Sequence, residues 1–135
     1  MYVSDGTNSL KYAVKDNTLD IFKILLDKGA DPKEKVNHGL TPMMIATQEG
    51  KYETAKLLIE HGANIDDHEN LSGNVPLHYA ISFGQMRILK LLIENGASID
   101  FKALEGATAL TYAVSCRKKE MAEFLIEKGA NVNST

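Results

Sequence analysis

Leu92-Ile93-Glu94-Asn95-Gly96-Ala97 is one of four versions of a single phrase in this chain. The others are Leu25-Leu26-Asp27-Lys28-Gly29-Ala30, Leu58-Ile59-Glu60-His61-Gly62-Ala63 and Leu125-Ile126-Glu127-Lys128-Gly129-Ala130. Glycines 29, 62, 96 and 129 follow one another at intervals of 33, 34 and 33 residues. A fixed period of this size marks a stack of supersecondary units, each too small to bury its own apolar faces and stable only against its neighbours.

Working outward from each phrase, apolar residues precede it at helical spacing, such as Ile21, Ile24 and Leu25 in unit one and Ile88, Leu91 and Leu92 in unit three. A second recurring block lies earlier in each unit: Asn8-Ser9-Leu10-Lys11-Tyr12-Ala13, Thr41-Pro42-Met43-Met44-Ile45-Ala46, Val75-Pro76-Leu77-His78-Tyr79-Ala80 and Thr108-Ala109-Leu110-Thr111-Tyr112-Ala113. Thr41 and Thr108 suit helix N-caps, and Pro42 and Pro76 suit the first helical position. Each first helix is predicted to end at Asn17, Gly50, Gly84 or Arg117, where the chain must turn through left-handed backbone. Small alanines at 13, 46, 80 and 113 let adjacent first helices approach closely. A polar finger then turns at Gly6, Gly39, Gly73 or Gly106. Three irregularities stand out. Val75 has no capping hydroxyl, leaving Asn74 or Ser72 to cap or the helix to fray. Arg117 occupies a position expected at positive φ, which strains a non-glycine residue. The finger from Asn64 to Asn74 carries one extra residue.

The second block resembles the Thr-Pro-Leu-His-x-Ala opening of the ankyrin repeat, and Leu-Leu…Gly-Ala resembles its close. The resemblance implies an all-α solenoid of stacked helix-turn-helix repeats with β-turn fingers. It gives a single domain over 1–135, with repeats at approximately 4–36, 37–70, 71–103 and 104–135. Because Met121 and Phe124 in the last unit are as apolar as their interior counterparts, the chain is expected to be an excerpt of a longer protein. The resemblance further implies a concave surface of fingers and first helices that binds another protein. Carried onto this sequence, its variable contact positions include Leu40, Gln48 and Glu49 in unit two. Unit three contributes Leu71, Ser72, Asn74, Ser82 and Phe83, and unit four Lys102, Leu104, Glu105 and Ser115. Leu40, Leu71, Phe83 and Leu104 are apolar where solvated positions favour polar residues, with Phe83 the leading anchor. The alternative is that Phe83 folds back on Tyr79 or the next unit and the leucines pack along the finger stems. The fourth place of the motif, His78, is expected to bond locally and brace neighbouring fingers.

Composition narrows the chemistry. The 135 residues are 44% hydrophobic and 24% charged with a net charge of −3, so bulk positive charge for nucleic-acid binding is lacking. No apolar run reaches membrane-spanning length, and no basic segment followed by an apolar one opens the chain. The single cysteine, Cys116, has no internal disulfide partner, and a cytoplasmic or nuclear location is expected. Gly50-Lys51 lacks the first glycine and the Ser/Thr of a phosphate-binding loop. His38, His61 and His68 show no tight ligand spacing, Cys116 has no histidine in its own unit, and Asp66-Asp67 sit in a solvated finger. No cofactor, metal or enzymatic activity is expected, and a monomer is. The leading reading is a non-catalytic protein-binding module. A structural spacer and the substrate-recruitment segment of a larger enzyme are its alternatives.

Overall fold

The computed structural model describes residues 13–14, 18–35 and 39–133. Seven α-helices are assigned among them: α1 (Leu19–Asp27), α2 (Pro42–Glu49), α3 (Tyr52–Glu60), α4 (Pro76–Ser82), α5 (Met86–Glu94), α6 (Ala109–Ser115) and α7 (Lys119–Glu127). A 3-10 turn, Leu104–Gly106, forms part of the last finger. Residues 13–14 are helical, while the expected turns at Gly6 and Asn17 lie outside the described residues.

Helix pairs α2/α3, α4/α5 and α6/α7 are the units, and they stack through their equivalent helices, α2 on α4 on α6 and α1 on α3 on α5. Ala46, Ala80 and Ala113 are buried where first helices meet, as their size requires. Behind them Leu58, Ile88, Leu89, Leu92 and Leu125 fill the space between first and second helices.

The caps explain where helices begin. Met44 N–H donates to Thr41 Oγ1 at 3.2 Å, and Thr111 N–H donates to Thr108 Oγ1 at 3.2 Å. In return, the third helical residue accepts the cap's own N–H, through Met44 Sδ, His78 Nδ1 or Thr111 Oγ1. Three chemically different acceptors thus serve one backbone position. Unit three departs from expectation: neither Asn74 nor Ser72 caps α4. Ser72 Oγ accepts from Asn74 N–H, and Asn74 Oδ1 accepts from the Tyr112 hydroxyl at 2.7 Å. The helix still starts at Pro76, whose fixed φ favours the first turn and whose ring removes one unsatisfied N–H.

First helices end through left-handed backbone at Gly50 (φ 72°), Gly84 (φ 68°) and Arg117 (φ 57°), as their register requires. Arg117 carries the Cβ penalty that the two glycines avoid. Arg117→Gly should therefore raise stability by about 1 kcal/mol, read as a higher urea midpoint at unchanged slope.

Unit one corrects a detail of the helical pattern. Phe22 and Leu26 are buried, whereas Ile21 and Ile24 are exposed. Their counterparts Ile88 and Leu91 are buried because α5 has α3 before it. Burial in a stack depends on the neighbouring unit as much as on the helix's own periodicity.

Candidate functional site

The fingers and the ends of the first helices carry the expected contact positions, and in units three and four a set of hydrogen bonds fixes the finger backbone. The extra residue in the third finger is accommodated around Glu69. Its Oε1 accepts Leu71 N–H (3.1 Å), Ser72 N–H (2.8 Å) and the Ser72 hydroxyl (2.7 Å). Backbone bonds from Glu69 N–H to the Asn74 carbonyl and from Gly73 N–H to the Glu69 carbonyl, both 2.9 Å, close the loop. A carboxylate accepting several N–H and O–H bonds fixes a turn more firmly than neutral acceptors would. Leu71 is consequently held outward, 64% exposed.

The fourth finger is tied to the third by Leu104 N–H donating to the Ser72 carbonyl at 3.0 Å. Gly73 is needed at this contact. Its φ is 74°, and a Cβ there would lie 3.0 Å from Leu104 N. Leu104 sits in the same finger register as Leu71 and is 60% exposed. Glu105 beside it adopts φ 68°.

Below the fingers, Tyr79 and Tyr112 occupy the repeat position held by the buried Ile45 in unit two. Both are half-buried. Burial, reinforced by the charge of Glu69 and by Tyr112, raises the Tyr79 phenol above its usual range. Phe83, the C-cap of α4, is 46% exposed, and its ring lies 6.3 Å from that of Tyr79 with the planes inclined by 32°. Phe83 therefore both leans on Tyr79 and presents surface. Sequence reasoning named Tyr79 only as a residue on which Phe83 could fold back, and did not single out Glu69 or Tyr112. The signal in the sequence is that tyrosine fills this place of the block at 12, 79 and 112, with Ile45 the one aliphatic residue there.

The remaining positions are distributed along the same face. Leu40 is half-buried and packs on the core, so only Leu71, Phe83 and Leu104 of the four apolar candidates stand out in solvent. Glu49 and Ser115 are exposed at the ends of α2 and α6, Ser82 ends α4, and Gln48 is half-buried. Lys102 is exposed. Ser72 and Asn74 are half-buried and engaged in the bonds already described.

His78 and His61 have structural occupations, while His68 is exposed. His78 is fully buried, with its ring 5.0 Å from Tyr112 and 6.3 Å from Phe101, both edge-on. Val75 N–H donates to Nδ1 at 3.0 Å, which assigns the ring proton to Nε2. Nε2 has no partner within hydrogen-bonding distance. Burial is the largest influence and lowers the imidazole pKa to about 4, against the carbonyls of Phe101 and Ala107, which favour the charged form. His61 joins units one and two. Nδ1 meets the Leu57 carbonyl at 2.9 Å and Nε2 meets Asp27 Oδ1 at 3.1 Å. Only the doubly protonated ring can donate to both. The Leu57 carbonyl and then Asp27 raise its pKa above the usual value. This tie is complete below about pH 6.5 and is lost as pH rises through the raised pKa. His38 lies outside the described residues. Asp67 pairs with Lys35 at 2.9 Å, and Asp66 accepts from Ser98. Cys116 is exposed.

No helix among the described residues is long and apolar enough to cross a membrane. A family model described as "Ankyrin repeats (3 copies)" matches residues 2–69 and 66–135. The chain is 38% identical over 66 residues to ankyrin repeat and SOCS box protein 2 of Rattus norvegicus, covering 49% of this chain and 10% of that protein. It is 34% identical over 79 residues to putative ankyrin repeat protein FPV031 of fowlpox virus, covering 57% and 23%. It is 36% identical over 75 residues to the probable E3 ubiquitin-protein ligase XBOS33 of Oryza sativa, covering 55% and 14%. The chain thus spans less than a quarter of the length of each of these relatives.

Proposed function

The chain belongs to the ankyrin-repeat family, whose repeats generally serve in protein–protein interaction, and on that premise we propose that it is a non-catalytic module that docks a partner protein on the finger and first-helix face of units three and four. One observation carries the reading. Three large apolar side chains, Leu71, Phe83 and Leu104, are held in solvent by backbone that is itself tightly bonded. Solvent-exposed apolar groups on a rigid scaffold lose little conformational entropy on docking, and aromatic anchors contribute disproportionately to binding energy. Ser82, Lys102, Glu105 and Ser115 would form the polar rim, with Ser72 and Asn74 supporting it, while Leu40, Gln48 and Glu49 of unit two border the face.

Affinity capture with the wild type and with Phe83→Ala/Leu71→Ala tests this. The double variant should keep its helical content and lose at least about tenfold in partner affinity, since both side chains are already exposed and their truncation costs the core little. Undiminished capture by the folded double variant would remove this face from consideration. A structural-spacer role predicts that outcome. The recruitment reading, in which the repeats deliver substrate to a catalytic region elsewhere in a larger protein, draws support from a relative named as a probable E3 ubiquitin-protein ligase.

A further inference from the structure

We infer that the partner segment bound by this face is acidic as well as apolar, its carboxylates meeting Arg117, Lys118 and Lys119 beside Phe83. The inference rests on the docking face proposed above and adds the chemistry of what that face takes. At the turn between first and second helices, unit two carries Gly50-Lys51-Tyr52 and unit three Gly84-Gln85-Met86. Unit four carries three consecutive cations there, in a chain whose net charge is −3. Arg117 and Lys119 are exposed and Lys118 is half-buried. None of the three forms an ion pair among the described residues, so their charge is open to a partner.

Two further observations tie this charge to the docking face. Lys118 reaches back to unit three: its Nζ lies 3.5 Å from where a Cβ on Gly84 would stand, and Gly84 directly follows Phe83. Lys118 and Lys119 also edge an open depression of about 410 Å³ against Gly84, with Met86 and Met121 as its apolar lining and Glu120 as its one opposing charge. Methionine thioethers adapt to varied apolar side chains. Arg117 supplies the second observation. It keeps φ at 57° where units two and three use glycine, and strained backbone of this kind is characteristic of residues whose side chains serve a function. Its guanidinium presents a planar fork that matches a carboxylate. Apolar anchor, apolar depression and cations therefore adjoin one another, and a segment with carboxylates flanking leucine or phenylalanine complements all three. Nucleic acid fits less well, since three cations release few counterions and the adjoining surface is apolar. Contact runs through side chains rather than the backbone of α7.

The test uses three synthetic peptides of one length that share a leucine–phenylalanine core and carry glutamate, glutamine or lysine around it. The glutamate peptide should bind about tenfold more tightly than the glutamine peptide, and the preference should shrink as salt is raised. The lysine peptide should bind most weakly. Lys118→Gln/Lys119→Gln, which gives unit four the neutral side chain that unit three has at Gln85, should remove most of the preference. Arg117→Gly should weaken binding of the glutamate peptide while raising the urea midpoint, so the loss is not one of folding. Equal affinity for the glutamate and glutamine peptides, or measurable binding of neither, overturns the inference. So does a preference that the double lysine variant keeps, or tighter binding of a thymidine oligonucleotide than of any peptide. Phe83→Ala/Leu71→Ala separates this result from the docking reading. If it weakens all three peptides and no glutamate preference exists, the docking face stands and the acidic partner is wrong. If the preference exists but that variant leaves every affinity unchanged, the docking face fails and the inference falls with it.

Discussion

Lowering the pH from 7 to 4.5 is expected to destabilise the chain through one buried side chain, His78. The neutral imidazole is favoured in the folded state, with a pKa of about 4 against 6.5 for an exposed ring. The unfolded chain therefore binds more protons between those values. His78 contributes its full stability above pH 6.5, loses it as pH falls towards 4, and changes little below that. The interval corresponds to about 3 kcal/mol at most. Geometry agrees with the sign, because a proton on Nδ1 would face the Val75 N–H that now donates to it. His61 works in the opposite direction but is solvent-accessible, so its tie to Asp27 does not offset the loss. His78→Thr provides the test. Thr111 in unit four already accepts its cap's N–H through a hydroxyl, so threonine can replace the hydrogen bond without the titration. Urea midpoints should show a shallower fall between pH 6.5 and 4 in the variant than in the wild type. Parallel pH profiles would exclude His78 as the source.

Overpacking the centre of the stack should have an effect of similar size. Ala80 is 0% exposed, on a helix that packs against both α2 and α6. A leucine there has to displace one of two neighbouring helices, at a cost of about 1–3 kcal/mol. The melting temperature should fall on the order of 4 °C for each kcal/mol in a chain of this size. Ser115→Leu, on an exposed position of α6, should lie within experimental error of the wild type. Equal melting of Ala80→Leu and the wild type would mean that the first helices are not in close contact at this alanine.

Much of this was legible in the sequence because the determining signals are local. Thr41 and Thr108 cap through hydroxyls three residues from their donors, Pro42 and Pro76 fix the first turn, and Gly50 and Gly84 supply positive φ. The repeat register even placed Arg117 in left-handed backbone. What escaped depends on contacts between units. His61 meets an aspartate 34 residues earlier, and no residue type near it signals that pairing. Ile21 and Ile24 match a buried helical stripe yet lie in solvent, since periodicity does not reveal whether a neighbour is present. The extra residue of the third finger could be counted, but not that Glu69 would gather it into three hydrogen bonds. The candidate surface follows the same division: the equivalence of Leu71 and Leu104 is readable from the register, whereas the effect of Glu69 on Tyr79 depends on contacts in three dimensions.

Hydrogen exchange of the chain with and without its captured partner is the most direct test of where that partner sits. Protection should appear at residues 69–83 and 102–115, with α1, α3, α5 and α7 unchanged. Protection confined to those second helices, leaving the fingers of units three and four untouched, would contradict the proposed docking face.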